Sequence, residues 1–130
     1  MDDTINYDKF ATVYYKSIIN TLKLFSMKVH ELNLLAGPTF NPLTELETEL
    51  DYAFTPVIFE TVFRNNLIHP NLKDDLLQFK RTVDKVPNRL WDYDYIDEHP
   101  LWINIKTDAN YLLEKLNVMD RGYDDDYAIH

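Results

Sequence analysis

Apolar side chains recur along this chain at steps of three and four, the spacing that lines one face of an α-helix. From about Asn6 to Leu35 the stripe is Phe10, Tyr14, Ile18, Leu22, Phe25, Val29 and Leu32, and Lys9, Lys16, Lys23 and Lys28 mostly fall off it. One long helix is expected here, with room for a break inside it. Gly37-Pro38 ends it, because Gly accepts a left-handed cap and Pro cannot extend the hydrogen-bond ladder. Asn41 before Pro42 marks the next start, with Thr44-Glu45-Leu46-Glu47 as an alternative capping box. Leu43, Leu46, Leu50, Ala53 and Val57 carry that stripe onward. Thr55-Pro56 either kinks this helix or starts a new one capped by Thr55. Val57-Ile58-Phe59 is apolar all round and is expected to be deeply buried.

Asn71 is expected to cap a third helix with Asp74 in its first turn, and Leu72, Leu76, Phe79, Val83 and Val86 give its buried face before Pro87 stops it. Residues 88–99 read as a connecting loop. His99-Pro100 opens the last helix, whose face is Trp102, Ile105, Ala109, Leu112, Leu113 and Leu116. No segment alternates strictly, no internal repeat is evident and no Gly/Ser linker divides the chain. The pattern predicts an all-α, single-domain bundle of four to five helices over residues 1–130, with a flexible tail from about residue 119.

Composition narrows the function classes. A chain of 130 residues that is 45% hydrophobic and 14% aromatic has enough apolar surface for a real core. Its 2 glycines argue against a turn-rich β fold and leave no Gly-rich phosphate loop. The absence of cysteine excludes disulfides, thiolate metal sites and Cys nucleophiles. Met1-Asp2-Asp3-Thr4 is acidic where a signal peptide is basic, and no apolar run approaches the roughly 18 residues of a spanning helix. The expectation is a cytoplasmic protein without membrane contact.

The net charge of −9 is unevenly spread. Residues 64–89 carry 6 basic and 3 acidic side chains, whereas residues 90–130 carry 3 and 10. A field of that sign repels nucleic acid and speeds encounter with a basic surface. It concentrates in Trp91-Asp92-Tyr93-Asp94-Tyr95-Ile96-Asp97-Glu98, where four carboxylates and three aromatics share eight residues without a basic neighbour. Aromatic rings with polar tips, next to carboxylates, suit docking to a basic protein. Asp92, Tyr93, Asp94, Tyr95, Asp97 and Glu98 are therefore the candidate partner-binding residues. The bland alternative has Trp91 and Ile96 plugging the core while the acids are merely solvated. A calcium loop is not expected, because its sixth and twelfth positions, counted from Asp92, would be Asp97 and Ile103 instead of Gly and Glu. The acids Asp124, Asp125 and Asp126 read as a solvated end. No metal and no cofactor is expected.

One catalytic pattern competes. Arg64-Asn65-Asn66-Leu67-Ile68-His69 resembles the R-N-x-x-x-H signature of the HEPN ribonucleases, which are also small helical domains. That resemblance implies a symmetric dimer in which Arg64, Asn65 and His69 act across the interface, with Arg64 stabilising charge on a phosphate and His69 moving a proton. The structural alternative is a helix end, where Arg and His complement the dipole. Other hydrolytic arrangements are missing: His30, His69, His99 and His130 are scattered, and Ser17 and Ser26 sit in no nucleophile elbow.

The second half, Phe63 to Val118, resembles immunity proteins of bacterial polymorphic toxins, including those of contact-dependent growth inhibition systems. The features are a Leu-rich helix ending at Val86-Pro87, then Leu90-Trp91-Asp92, an acidic stretch, and a closing helix with Trp102 and Ala109-Asn110-Tyr111-Leu112-Leu113. The resemblance implies a non-catalytic bacterial protein of the cytosol that binds and neutralises a cognate toxin domain, often a basic nuclease. The acidic aromatic connector would be its neutralising surface, with no direct contact to nucleic acid.

Overall fold

Asn41 Oδ1 accepts a hydrogen bond from the Thr44 backbone N–H at 3.3 Å, so the helix start read from Asn41-Pro42 is the one the chain uses. The computed structural model describes residues 6–123; Met1-Asp2-Asp3-Thr4, Asp124, Asp125, Asp126 and His130 lie outside them. Among the described residues the chain is all-helical, with seven α-helices and three short 3₁₀ turns. The α-helices are α1 (Ala11–Ser26), α2 (Val29–Leu35), α3 (Pro42–Ala53), α4 (Pro56–Arg64), α5 (Lys73–Asp84), α6 (Tyr93–Ile96) and α7 (Pro100–Lys115).

The helix count exceeds the expected four to five for three local reasons. The long first helix breaks because Met27 and Lys28 are both extended, with ψ of 147° and 164°. Thr55-Pro56 starts a new helix instead of kinking the old one, although the Thr55 hydroxyl donates back to the Asp51 carbonyl and does not cap α4. The connector expected as a loop folds into a 3₁₀ turn (Asn88–Leu90) followed by α6. Asn71 is not a cap either: a 3₁₀ turn (Pro70–Leu72) precedes α5, whose N-cap position is Leu72.

α1 is the central helix, packed along α7, α3 and α4. Every residue from Ser17 to Phe25 is buried, so the one-sided stripe read from the sequence understates how far this helix is enclosed. Enclosure brings polar groups inside, and most of them are bonded there, the buried Ser17 Oγ being an exception among the described residues. The Thr21 hydroxyl donates to the Ser17 carbonyl at 2.8 Å and lies 3.2 Å from the Glu49 carbonyl of α3. Lys23, expected off the buried face, is also buried, and its Nζ donates to the Gly122 carbonyl at 2.8 Å.

The remaining stripes bury largely as spaced: Leu46, Leu50 and Ala53; Leu76, Phe79, Val83 and Val86; Trp102, Ile105, Ala109, Leu112 and Leu113. Val57 departs, remaining exposed while Ile58 and Phe59 enter the core. Two helices end with a left-handed residue, and asparagine fills that position both times: Asn66 (φ 59°) after α4 and Asn117 (φ 61°) after α7. Each ending is closed by a backbone bond reaching back over the last turn, Leu67 to Val62 and Val118 to Leu113.

The segment after α7, expected to be flexible from about 119, returns to the bundle through residue 123. Arg121 donates to the Asn110 side chain, Gly122 accepts from Lys23, and the Tyr123 hydroxyl bonds the buried Glu49 carboxylate. The Tyr123 ring meets Phe40 edge-on at 5.4 Å.

Candidate functional site

The connector is bound to the core at both ends. Trp102, almost wholly buried, donates its indole N–H to the Leu90 carbonyl at 2.7 Å. Trp91 meets Trp102 edge-on at 5.0 Å and Phe25 at 6.4 Å, and Ile96 is buried. The expectation that Trp91 and Ile96 anchor this stretch thus holds together with an exposed outer side. The two readings of the connector are not exclusive.

Its six candidate residues divide by task. Asp92 caps α6, accepting from the Asp94 backbone N–H at 2.9 Å. Asp97 turns towards α2 and accepts from the Val29 backbone N–H at 3.0 Å; Lys106 Nζ lies 3.9 Å from the same oxygen. Tyr93 is half-buried against the core. Asp94, Tyr95 and Glu98 face outward, with Tyr95 40% exposed and set edge-on to the His99 ring at 6.3 Å. Among the described residues the Asp94 and Glu98 carboxylates form no ion pair. Asp94, Tyr95 and Glu98 thus point outward, while Asp92, Tyr93 and Asp97 hold the connector in place.

Lys106 supports the platform from beneath. Its Nζ donates to the Ile96 carbonyl at 2.6 Å, which ends α6 on a cation. Burial pushes the Lys106 ammonium below its usual range, while Asp97 and Glu31 act in the opposite direction.

The candidate catalytic triplet is engaged in holding the chain together. Arg64 reaches one Asp8 oxygen through Nε at 2.9 Å and through Nη2 at 2.6 Å, and the Asn65 amide donates to that oxygen at 2.9 Å. These contacts fasten the first 3₁₀ turn (Tyr7–Phe10) to the end of α4. The Asn65 amide and the Arg64 guanidinium hold the Asp8 carboxyl below the usual carboxylate range. His69 Nδ1 accepts from the Asn71 backbone N–H at 3.1 Å. His99 Nδ1 does the same for Leu101, also at 3.1 Å, so both His-Pro pairs are one helix-start device used twice.

Sequence reasoning missed two features. Glu49 is fully buried on α3, and a signal existed, because it lies three residues after Leu46 and beside Leu50 on the apolar stripe. The second is a set of outward carboxylates on α3 and α5: Lys80 lies 3.6 Å from Asp51 and 2.6 Å from Asp84. Among the described residues no helix is long and apolar enough to cross a membrane, and no His, Asp and Glu side chains gather as a metal site requires. Compared with protein families, with curated proteins and with solved structures, the chain gives no match.

Proposed function

We propose that this chain acts by binding a basic partner protein, and that it is an immunity protein which neutralises a cognate toxin domain, a basic nuclease being the best fit. The observation that carries the docking reading is the exposure of Asp94, Tyr95 and Glu98 on a connector fixed by Trp91, Ile96 and Asp97. A rigid mount spares the entropy of ordering a loop on binding, and unpaired outward carboxylates leave their field available to a cation. The toxin assignment adds the resemblance of Phe63–Val118 to immunity proteins of polymorphic toxins.

The ribonuclease alternative loses ground by comparison. Arg64 and Asn65 both donate to Asp8, and His69 Nδ1 accepts from Asn71, so the R-N-x-x-x-H spacing has a structural explanation.

The first test is whether a large toxin reading frame lies next to this gene, its absence counting against the reading; the second uses the C-terminal domain of that frame. Asp94→Lys with Glu98→Lys is expected to slow association at least about tenfold at low salt, with unfolding stability changed by under about 0.5 kcal/mol. An unchanged association rate removes the connector as the docking surface. Cleavage of RNA by the purified wild type, lost in both Arg64→Ala and His69→Ala, would replace this reading with the enzymatic one.

A further inference from the structure

Between α3 and the end of α5 lies an open cavity of about 460 Å³, within the roughly 300–1,000 Å³ of small-ligand sites. Leu50 and Val83 contribute apolar lining, Trp91 contributes aromatic lining, and Glu47, Asp51 and Asp84 add carboxylates. Trp91 is also the residue that opens the acidic connector, so cavity and connector share this side chain. Its indole is held by edge-on contacts to Phe25 and Trp102, which makes it a fixed element of the cavity.

The charge is unbalanced. A single lysine, Lys80, serves both Asp51 and Asp84, and Glu47 has no ion-pair partner among the described residues. An anion is repelled here, and a purely apolar guest leaves the carboxylates without a counter-charge. A cation that is flat, and apolar on its faces, satisfies both lining types. A guanidinium stacks on an indole and forks onto carboxylates, whereas an ammonium offers only a point charge.

We infer that this cavity is the seat of an arginine side chain of the partner protein, entering beside Trp91 while the partner's basic surface lies on Asp94 and Glu98. That the guest belongs to a protein rests on the docking reading above; that the cavity selects a guanidinium does not.

The test is an NMR titration of the whole protein with N-acetyl-arginine amide, N-acetyl-lysine amide and the neutral isostere N-acetyl-citrulline amide. The arginine probe should shift the Trp91 indole N–H and the amides of Asp51 and Asp84, saturating in the millimolar range. Lysine should bind at least about threefold more weakly, and citrulline at least about tenfold more weakly. Glu47→Gln with Asp51→Asn should weaken the arginine probe at least about fivefold. Trp91→Phe, which keeps a ring, should retain part of the binding. Equal binding of citrulline, or shifts confined to Asp94 and Glu98, overturns the cavity assignment and leaves the connector reading standing. Selective arginine binding combined with normal partner association by the Asp94→Lys, Glu98→Lys variant keeps the cavity and removes the connector.

Discussion

Asp97 closes the start of α2 from 68 residues away, accepting the Val29 backbone N–H at 3.0 Å. The first N–H groups of a helix have no partner within it, and here a carboxylate from the candidate docking connector supplies one. Lys28 contributes the local half of the same start, donating its N–H to Glu31 Oε1 at 3.1 Å. The break in the first helix and the position of the connector are therefore one feature.

Replacing Asp97 with alanine should cost about 1–2 kcal/mol, because a helix-start donor loses its acceptor and Lys106 loses its nearest carboxylate. Asn at the same position keeps an acceptor oxygen and should cost less than half as much. Urea unfolding of both variants measures the difference, and equal costs would show that the charge matters and the hydrogen bond does not.

Trp102→Phe should be among the most damaging conservative changes, at about 2–4 kcal/mol. It opens a void beside Phe25 and leaves the buried Leu90 carbonyl without its donor. Thermal melts, with partner binding measured below the transition, would show whether the connector loosens before the bundle does.

Tyr123→Phe deletes one hydroxyl from the segment after α7. Glu49 is fully buried, so removing a donor to its carboxylate should destabilise by about 1–2 kcal/mol. A change under about 0.5 kcal/mol would mean that this segment adds little to folding.

The Asp8 carboxyl is held below its usual range by Asn65 and Arg64, so its contribution is complete above the unfolded value and vanishes as pH falls through the folded one. Asp8→Asn should therefore be less stable than wild type at neutral pH, and the gap should close below the ordinary value of 3.8. Denaturant midpoints taken from neutral pH down to about pH 2 follow that closure. A gap that persists in acid would assign the effect to packing.

Where structure depended on neighbours in sequence, the residues were legible. Asn41-Pro42, His99-Pro100 and the spacing of Trp102, Ile105, Ala109 and Leu112 carry local physics, and the chain follows it. The break at Met27-Lys28 contains neither Gly nor Pro, and one of its stabilising partners, Asp97, is remote. The burial of Lys23 likewise depends on Gly122, from beyond the last helix. In the connector, composition singled out the stretch as a candidate, but only folding could assign Asp92 and Asp97 to scaffolding and Asp94 and Glu98 to the outer face. The cavity escaped notice because α3, α5 and Trp91 each supply a part of it.

Trp91 and Trp102, in edge contact at 5.0 Å, are the 2 tryptophans of the chain. One ring sits in the interior and the other borders the groove, so intrinsic emission is a built-in optical gauge of both compartments. Unfolding should shift the emission of this coupled pair, and a guest seated against Trp91 should change its intensity. Fold integrity and occupancy can then be followed in a single cuvette, on native protein, without attaching a dye.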